Sequence, residues 1–384
     1  MRFHDCRILF LTLIFSILCV PWESLASENV IYSPADLAGT WQAQSLASGP
    51  GAPWWLYGPL TMAADGSFHG TLVEYPNKSS VVDGQFLIDA YGIVTWAGKP
   101  LDPRENGFGH GHMTLDKNLI VMIATWSSGS PGTSQMILFT RQGADYQSPD
   151  LAGVWQVHSL ASGPGAPWWE YGPLSMAADG SFQGTLEEYG GNPDQIEGRI
   201  QIDPSGIVTA AGAPFDPLLS GMGRGHMNAD KNLVVMLATW TSDFPGTTEM
   251  RVLTRQGGSY QPSDLAGTWQ VHALASGPGA PWWEYGPLTM AADGTFQGSL
   301  IAYRSVPDEI KGRFQIDANG RVTEAGRPLD PQLNGLGQGH MIPNKNVIVM
   351  LATWATDSPG TAELRILTRS NASSSLIGDW MLCE

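Results

Sequence analysis

The chain has 384 residues, of which 46 are Gly and 27 Pro, and only 15% are charged. With 42% hydrophobic and 10% aromatic residues it has the material for packed cores, which excludes wholesale disorder. A formal charge of −16 argues against nucleic acid or an anionic membrane surface as a partner.

At the N-terminus, Arg2 and Arg7 precede or open an apolar run over 8–20, and the small residues Ser24 and Ala26 follow. That order predicts a secretory signal peptide over 1–26, and with it a secreted or periplasmic location. The run is too short to cross a bilayer as a helix, and no later run is long enough, so no membrane span is expected. Cys6 and Cys19 belong to the signal, which leaves Cys383 without an intramolecular disulfide partner. Packing, not cross-linking, must then hold the mature chain together.

A linker over 27–35 leads into three copies of one module. Asp36-Leu-Ala-Gly-Thr-Trp41 returns at Asp150 to Trp155 and at Asp264 to Trp269, a period of 114 residues. The stretch Ser48-Gly-Pro-Gly-Ala-Pro-Trp-Trp55 recurs unchanged at Ser162 and Ser276. The copies are assigned to 36–149, 150–263 and 264–370. The tail, 371–384, contains Leu376-Ile-Gly-Asp-Trp380, which reads as the truncated start of a fourth copy and could support self-association. A period this long is a small domain rather than a solenoid repeat.

Within the first copy, apolar and polar residues alternate over 41–46 and 60–64, and further strand-like runs bounded by turns lie over 68–75, 85–89, 93–97, 113–115, 119–126 and 135–141. Alternation of this kind predicts strands. Asp65-Gly66 is read as a hairpin turn in which both residues take positive φ. Asp116-Lys117-Asn118 joins the sixth and seventh strands. Eight meandering antiparallel strands per unit predict an all-β chain of three barrels, with a two-sheet sandwich as the alternative. The seventh strand, Leu119-Ile-Val-Met-Ile-Ala124, is apolar on both faces, so its outer face needs cover from a neighbouring unit. Packed units are therefore expected rather than separate beads.

Gly-x-Trp on the first strand, with Arg ending the eighth, resembles the calycin pattern of lipocalins and avidins. The matching pairs are Trp41 with Arg141, Trp155 with Arg255 and Trp269 with Arg369. The resemblance implies structural roles: the Trp plugs the closed end of a barrel and the Arg lies across it. The lipocalin Thr-Asp-Tyr element is missing.

For function, the strongest feature is the Gly/Pro loop carrying two adjacent indoles. A rigid loop can present flat aromatic faces to a sugar ring or a small apolar molecule at low ordering cost. The candidate binding residues are Trp54, Trp55 and Tyr57, with Glu74 beside them, then Trp168, Trp169 and Tyr171, and Trp282, Trp283 and Tyr285. Adjacent side chains on an extended segment point apart, so at most one Trp of each pair faces a given side. The competing expectation has one or both indoles plug a barrel mouth or seal the contact between modules. Gly109-x-Gly111-His112-Met113 recurs around His226 and His340, but one His and one Met per copy are too few ligands for a metal. The linear order gives no sign that the copies meet on an axis. Asp102, Asp216 and Asp330 lie near those histidines, yet Asp-Pro is ordinary turn chemistry and no nucleophile elbow or paired-carboxylate motif accompanies it. His110 has Arg224 and Gln338 as its counterparts. Asn77 and Asn371 begin glycosylation sequons. No catalytic residue, metal or cofactor is expected. The functional expectation is a secreted, non-enzymatic binding protein with three similar aromatic sites for carbohydrate or a small apolar ligand. A structural or adhesive repeat protein is the alternative, and a hydrolase using the Gly-His-Met loop a distant third.

Overall fold

Alternating strands joined by short turns close on themselves three times. In the computed structural model the first barrel comprises β1 (Gly39–Ser48), β2 (Trp55–Met62), β3 (Ser67–Glu74), β4 (Lys78–Ile88), β5 (Ile93–Trp96), β6 (His110–Met113), β7 (Leu119–Thr125) and β8 (Ser134–Arg141). Each strand pairs antiparallel with the next, and β8 pairs back to β1, so no edge remains. The second barrel runs from β9 (Gly153–Ser162) and β10 (Trp169–Met176) to β15 (Leu233–Thr239) and β16 (Thr248–Arg255). The third runs from β17 (Gly267–Ser276) and β18 (Trp283–Met290) to β23 (Val347–Thr353) and β24 (Ala362–Ser370). A sandwich is thereby excluded. The structure describes residues 31–74, 78–96, 109–126, 131–188, 192–210, 223–240, 245–278, 280, 282–302, 307–324, 337–354 and 360–371. The expected signal peptide, Asp102, Asp216, Asp330, Asn77 and the terminal stub lie outside these residues.

Most strand positions follow the sequence pattern, with three differences, the first being that the sixth strand, expected at 113–115, runs over His110–Met113. The strand read at 85–89 begins at Lys78, because its polar first half is held by register with β3 and not by burial. Asp65 does not take positive φ; Gly66 alone does, at 81°. Gly66 N–H donates to Ala63 O and Ala63 N–H to Ser67 O, which makes a three-residue turn ending in a left-handed bulge. A Cβ on Gly66 would meet Phe86 O at 2.0 Å, so the position admits no side chain.

Inward positions form each barrel's own core. In the second these include Trp155, Val157, Leu174, Met176, Val234 and Leu253. The Trp and Arg pairs occupy one end. The Arg141 guanidinium lies 4.3 Å from the Trp41 ring centre, and Arg255 and Arg369 each lie 4.4 Å from Trp155 and Trp269. Trp41 Nε1 donates to Leu37 O and Arg141 Nη1 to Ala38 O, tying the short helical turn Pro34–Leu37 onto the barrel end.

Outward positions build something the repeat pattern did not disclose. Leu46, Val121, Leu160, Val235, Leu274 and Val349, drawn from all three barrels, are buried in one common cluster. β1 lies against β15 and β16, β9 against β23 and β24, and β17 against β7 and β8, while β1, β9 and β17 touch one another. The barrels thus form a closed ring about a pseudo-threefold axis. The doubly apolar seventh strands are covered as expected, but by convergence on an axis that the linear order gave no sign of.

Candidate functional site: barrel mouths and seams

Period-2 alternation gives the two indoles of each pair opposite tasks. Trp55, Trp169 and Trp283 point outward and are fully buried between barrels. Trp55 Nε1 donates to Thr239 Oγ1 at 2.7 Å, Trp169 Nε1 to Thr353 Oγ1 at 2.7 Å, and Trp283 Nε1 to Thr125 Oγ1 at 2.5 Å. Each bond crosses to the next barrel, and the third returns to the first. The tyrosines share these seams. Arg224 stacks 4.7 Å from the Tyr57 ring, Tyr171 Oη donates to Gly339 O, and His110 stacks on Tyr285 at 4.0 Å. The expectation of a shallow face made from one indole of each pair with Tyr57 and Glu74 is therefore corrected, because the indole on the tyrosine's side of the strand is Trp55 and both are covered by the next barrel. Trp55 and Tyr57 sit in a seam, on the far side of the strand from Trp54.

Trp54, Trp168 and Trp282 turn toward the end of their own barrels opposite the Trp and Arg pairs. There they meet Trp126, Trp240 and Trp354 edge-to-face, with ring centres 5.8, 5.7 and 5.7 Å apart. Trp126 is 40% exposed, whereas Trp54 is 8% exposed. The rim indoles are anchored downward: Trp126 Nε1 donates to Gln135 Oε1, Trp240 Nε1 to Glu249 Oε2, and Trp354 Nε1 to Glu363 Oε2. The recurring Ala-Thr-Trp block marked these positions in the sequence only as part of the repeat. Their role depends on meeting the Gly/Pro loop across the mouth.

Beneath the rims the barrels differ. In the first, Leu56 and Ile137 face inward and Gln135 Nε2 donates to Ser45 Oγ at 2.6 Å. In the second, the same positions hold Glu170, Arg251 and Glu249. Arg251 grips the fully buried Glu249 with two bonds of 2.7 and 3.0 Å and approaches Glu170 at 3.5 Å. In the third, Arg365 bonds Glu363 through Nε at 2.8 Å and Nη2 at 3.1 Å, and reaches Glu324 at 3.4 Å, with Glu284 alongside. Burial, reinforced by neighbouring carboxylates, raises Glu170 and Glu284 to about 7. A signal for these residues existed. Glu249-x-Arg251 and Glu363-x-Arg365 put charge on inward positions of otherwise apolar strands, at sites where the first copy has Gln and Ile.

The Gly-His-Met histidines belong to the seams. His112 Nδ1 pairs with Thr368 Oγ1, His226 Nδ1 with Thr140 Oγ1, and His340 Nδ1 with Thr254 Oγ1, each across a barrel boundary. Their Nε2 atoms face the backbone carbonyls of Tyr91, Ser205 and Asn319. Burial lowers all three, His112 to about 3 and the other two to about 4. Among the described residues no group of three or more His, Cys, Asp or Glu could hold a metal. On the axis, a depression of about 500 Å³ is lined by the three Gly/Pro loops, including Ser48, Pro53, Ser162, Pro167 and Ser276.

No family model and no curated protein sequence matches the chain. Among solved structures, a protein of unknown function from the DUF3598 family of Nostoc punctiforme is 15% identical, with 58% of this chain and 99% of that one covered at a TM-score of 0.24. A transferrin binding protein B double mutant from Haemophilus parasuis is 7% identical over 86% of this chain and 75% of its own, at 0.31. The isotype 1 transferrin binding protein B from Neisseria meningitidis is 12% identical over 82% and 66%, at 0.27. Similarity at this level transfers no ligand and no activity.

Proposed function

We propose that the chain is a secreted, non-catalytic binding protein that takes ligands at its three barrel mouths. The carrying observation is the aromatic rim. One indole of every pair meets Trp126, Trp240 or Trp354 edge-to-face, and the Trp126 ring is substantially open to solvent. Such a rim suits the flat face of a sugar ring or a small apolar body, the polar tip of each indole being satisfied from below. Trp54, Trp168 and Trp282 remain candidate contacts in this reading. Trp55, Trp169, Trp283, Tyr57, Tyr171 and Tyr285 contribute only by fixing the barrels. Three mouths on one body favour avidity for a multivalent ligand such as a glycan.

Titration of intrinsic Trp fluorescence against glycans and small apolar probes tests the reading. A saturable response that disappears in the triple change Trp126→Ala, Trp240→Ala, Trp354→Ala is expected, with the barrels still folded by circular dichroism. A response unchanged by that triple change would overturn it. A structural or adhesive role is the second reading, favoured by the burial of half the paired indoles in the seams. It predicts no saturable response to any probe.

A further inference from the structure

The three mouths share a rim and differ beneath it, and the difference has a definite chemical sense. In the second barrel Arg251 is committed to Glu249, which has no exposed side-chain surface. Glu170 is left over. Its Oε2 is buried on the inward side of the barrel wall and has no hydrogen-bond partner among the described residues beyond the 3.5 Å approach of Arg251. Around it stand Glu249 and Arg251 from β16, Glu188 from β11 (Ser181–Glu188) and Asp194 from β12 (Asp194–Ile202). Four carboxylates thus surround one guanidinium. In the third barrel Glu284 faces Glu363, Arg365, Asp308 and Glu324, again four against one. The first barrel has Leu56, Gln135 and Ile137 at the corresponding places.

Resting on the reading of the mouths as binding sites, we propose that the second and third barrels seat a cationic head group, an ammonium carried on a flat apolar body, while the first takes a neutral one. The body lies against the rim indoles, and the ammonium donates to Glu170 or Glu284. A buried acceptor without a donor, such as Glu170 Oε2, is costly, and an ammonium supplies up to three donors. Excess negative potential in a low-dielectric mouth selects the sign of the guest. The cation also competes with a proton, since Glu170 and Glu284 must ionise to receive it.

Three probes of matched shape test this on the full mature chain: 2-phenylethylammonium, 2-phenylethanol and phenylacetate, each followed by calorimetry and Trp fluorescence. The ammonium should bind best, with a stoichiometry of two, and phenylacetate worst. Its affinity should fall about tenfold between pH 8 and pH 6 as the two glutamates take up protons. The near-isosteric pair Glu170→Gln and Glu284→Gln should abolish the preference. Should that pair fail to fold, Glu188→Ala, at a half-buried position, should still weaken ammonium binding severalfold at the second-barrel seat, leaving the third-barrel seat and 2-phenylethanol binding unchanged. Equal affinity for the ammonium and the alcohol would overturn the cation seat and leave the mouths as binding sites. Silence towards all three probes would overturn both.

Discussion

Trp55 illustrates how much one side chain settles in this molecule. It is fully buried, packs at a tilt against Tyr57 with ring centres 5.6 Å apart, and donates across a seam to Thr239. Truncation to Ala would remove a large buried aromatic and strand the Thr239 hydroxyl, at a cost of about 3–5 kcal/mol. Thr239→Val keeps the volume and removes only the acceptor, so about 1 kcal/mol is expected. Chemical denaturation of the two variants should reproduce that order; a larger loss for Thr239→Val would mean that the hydrogen bond, not the packing, closes the seam. Trp54, one position earlier, meets Trp126 of its own barrel instead. The sequence made that opposition legible, since consecutive strand residues must face apart. Which indole faced which way depended on the strand beginning at Trp55, and the Gly/Pro composition before it left that start open.

At the scale of turns and strands, the β6–β7 hairpin and its two counterparts meet at one end of the axis. Asn344 Nδ2 donates to Asp116 Oδ2 at 2.6 Å and to Asp230 Oδ2 at 3.4 Å. The equivalent position is therefore Asp, Asp and Asn in the three copies. Burial, with the adjacent Asp116 carboxylate as a further cause, raises Asp230. A third carboxylate would add repulsion and delete the donor that bridges the other two. Asn344→Asp should lower stability at pH 7 by about 1 kcal/mol, the site being largely solvent-exposed. The penalty should shrink in acid, where Asp230, its carboxyl raised by burial, takes up a proton; melting temperatures at pH 7 and in acid check this. An equal loss at both would assign the effect to the lost amide alone. Strand count, order and hairpin positions were legible because local alternation and turn chemistry set them. The ring was not. It is made by contacts such as His112 with Thr368, 256 residues apart, and no local pattern announces them. The charged floors were half legible: Glu249-x-Arg251 breaks the apolar alternation, but its meaning needed Glu170 from another strand.

For the whole molecule, pH is the revealing variable. His112, His158, His226, His272 and His340 are buried and His110 is half-buried, and desolvation lowers each below its usual range. Unfolded, they titrate near 6.5. Below that pH the unfolded chain binds more protons than the folded one, so stability is fully present above about pH 6.5 and lost as pH falls toward 4. Glu170 and Glu284 act oppositely: raised to about 7, they favour folding below their unfolded value and cease to as pH rises through neutrality. Six histidines outweigh two glutamates. The melting temperature should be nearly level above pH 7 and fall steeply between pH 6.5 and 4, as differential scanning calorimetry would record. A flat profile across that range would mean the seams admit water and charge at no cost.

Joining the three barrels in one polypeptide frees each to vary alone. In an assembly of identical subunits, every substitution is written three times, and a charge placed near the axis repels its own copies. Here the hairpin ends read Asp, Asp, Asn, the seam residues beside the tyrosines read His, Arg, Gln, and the floors read Leu, Glu, Glu. Covalent fusion turns symmetry from a constraint into a scaffold on which unlike sites can be held at fixed spacing.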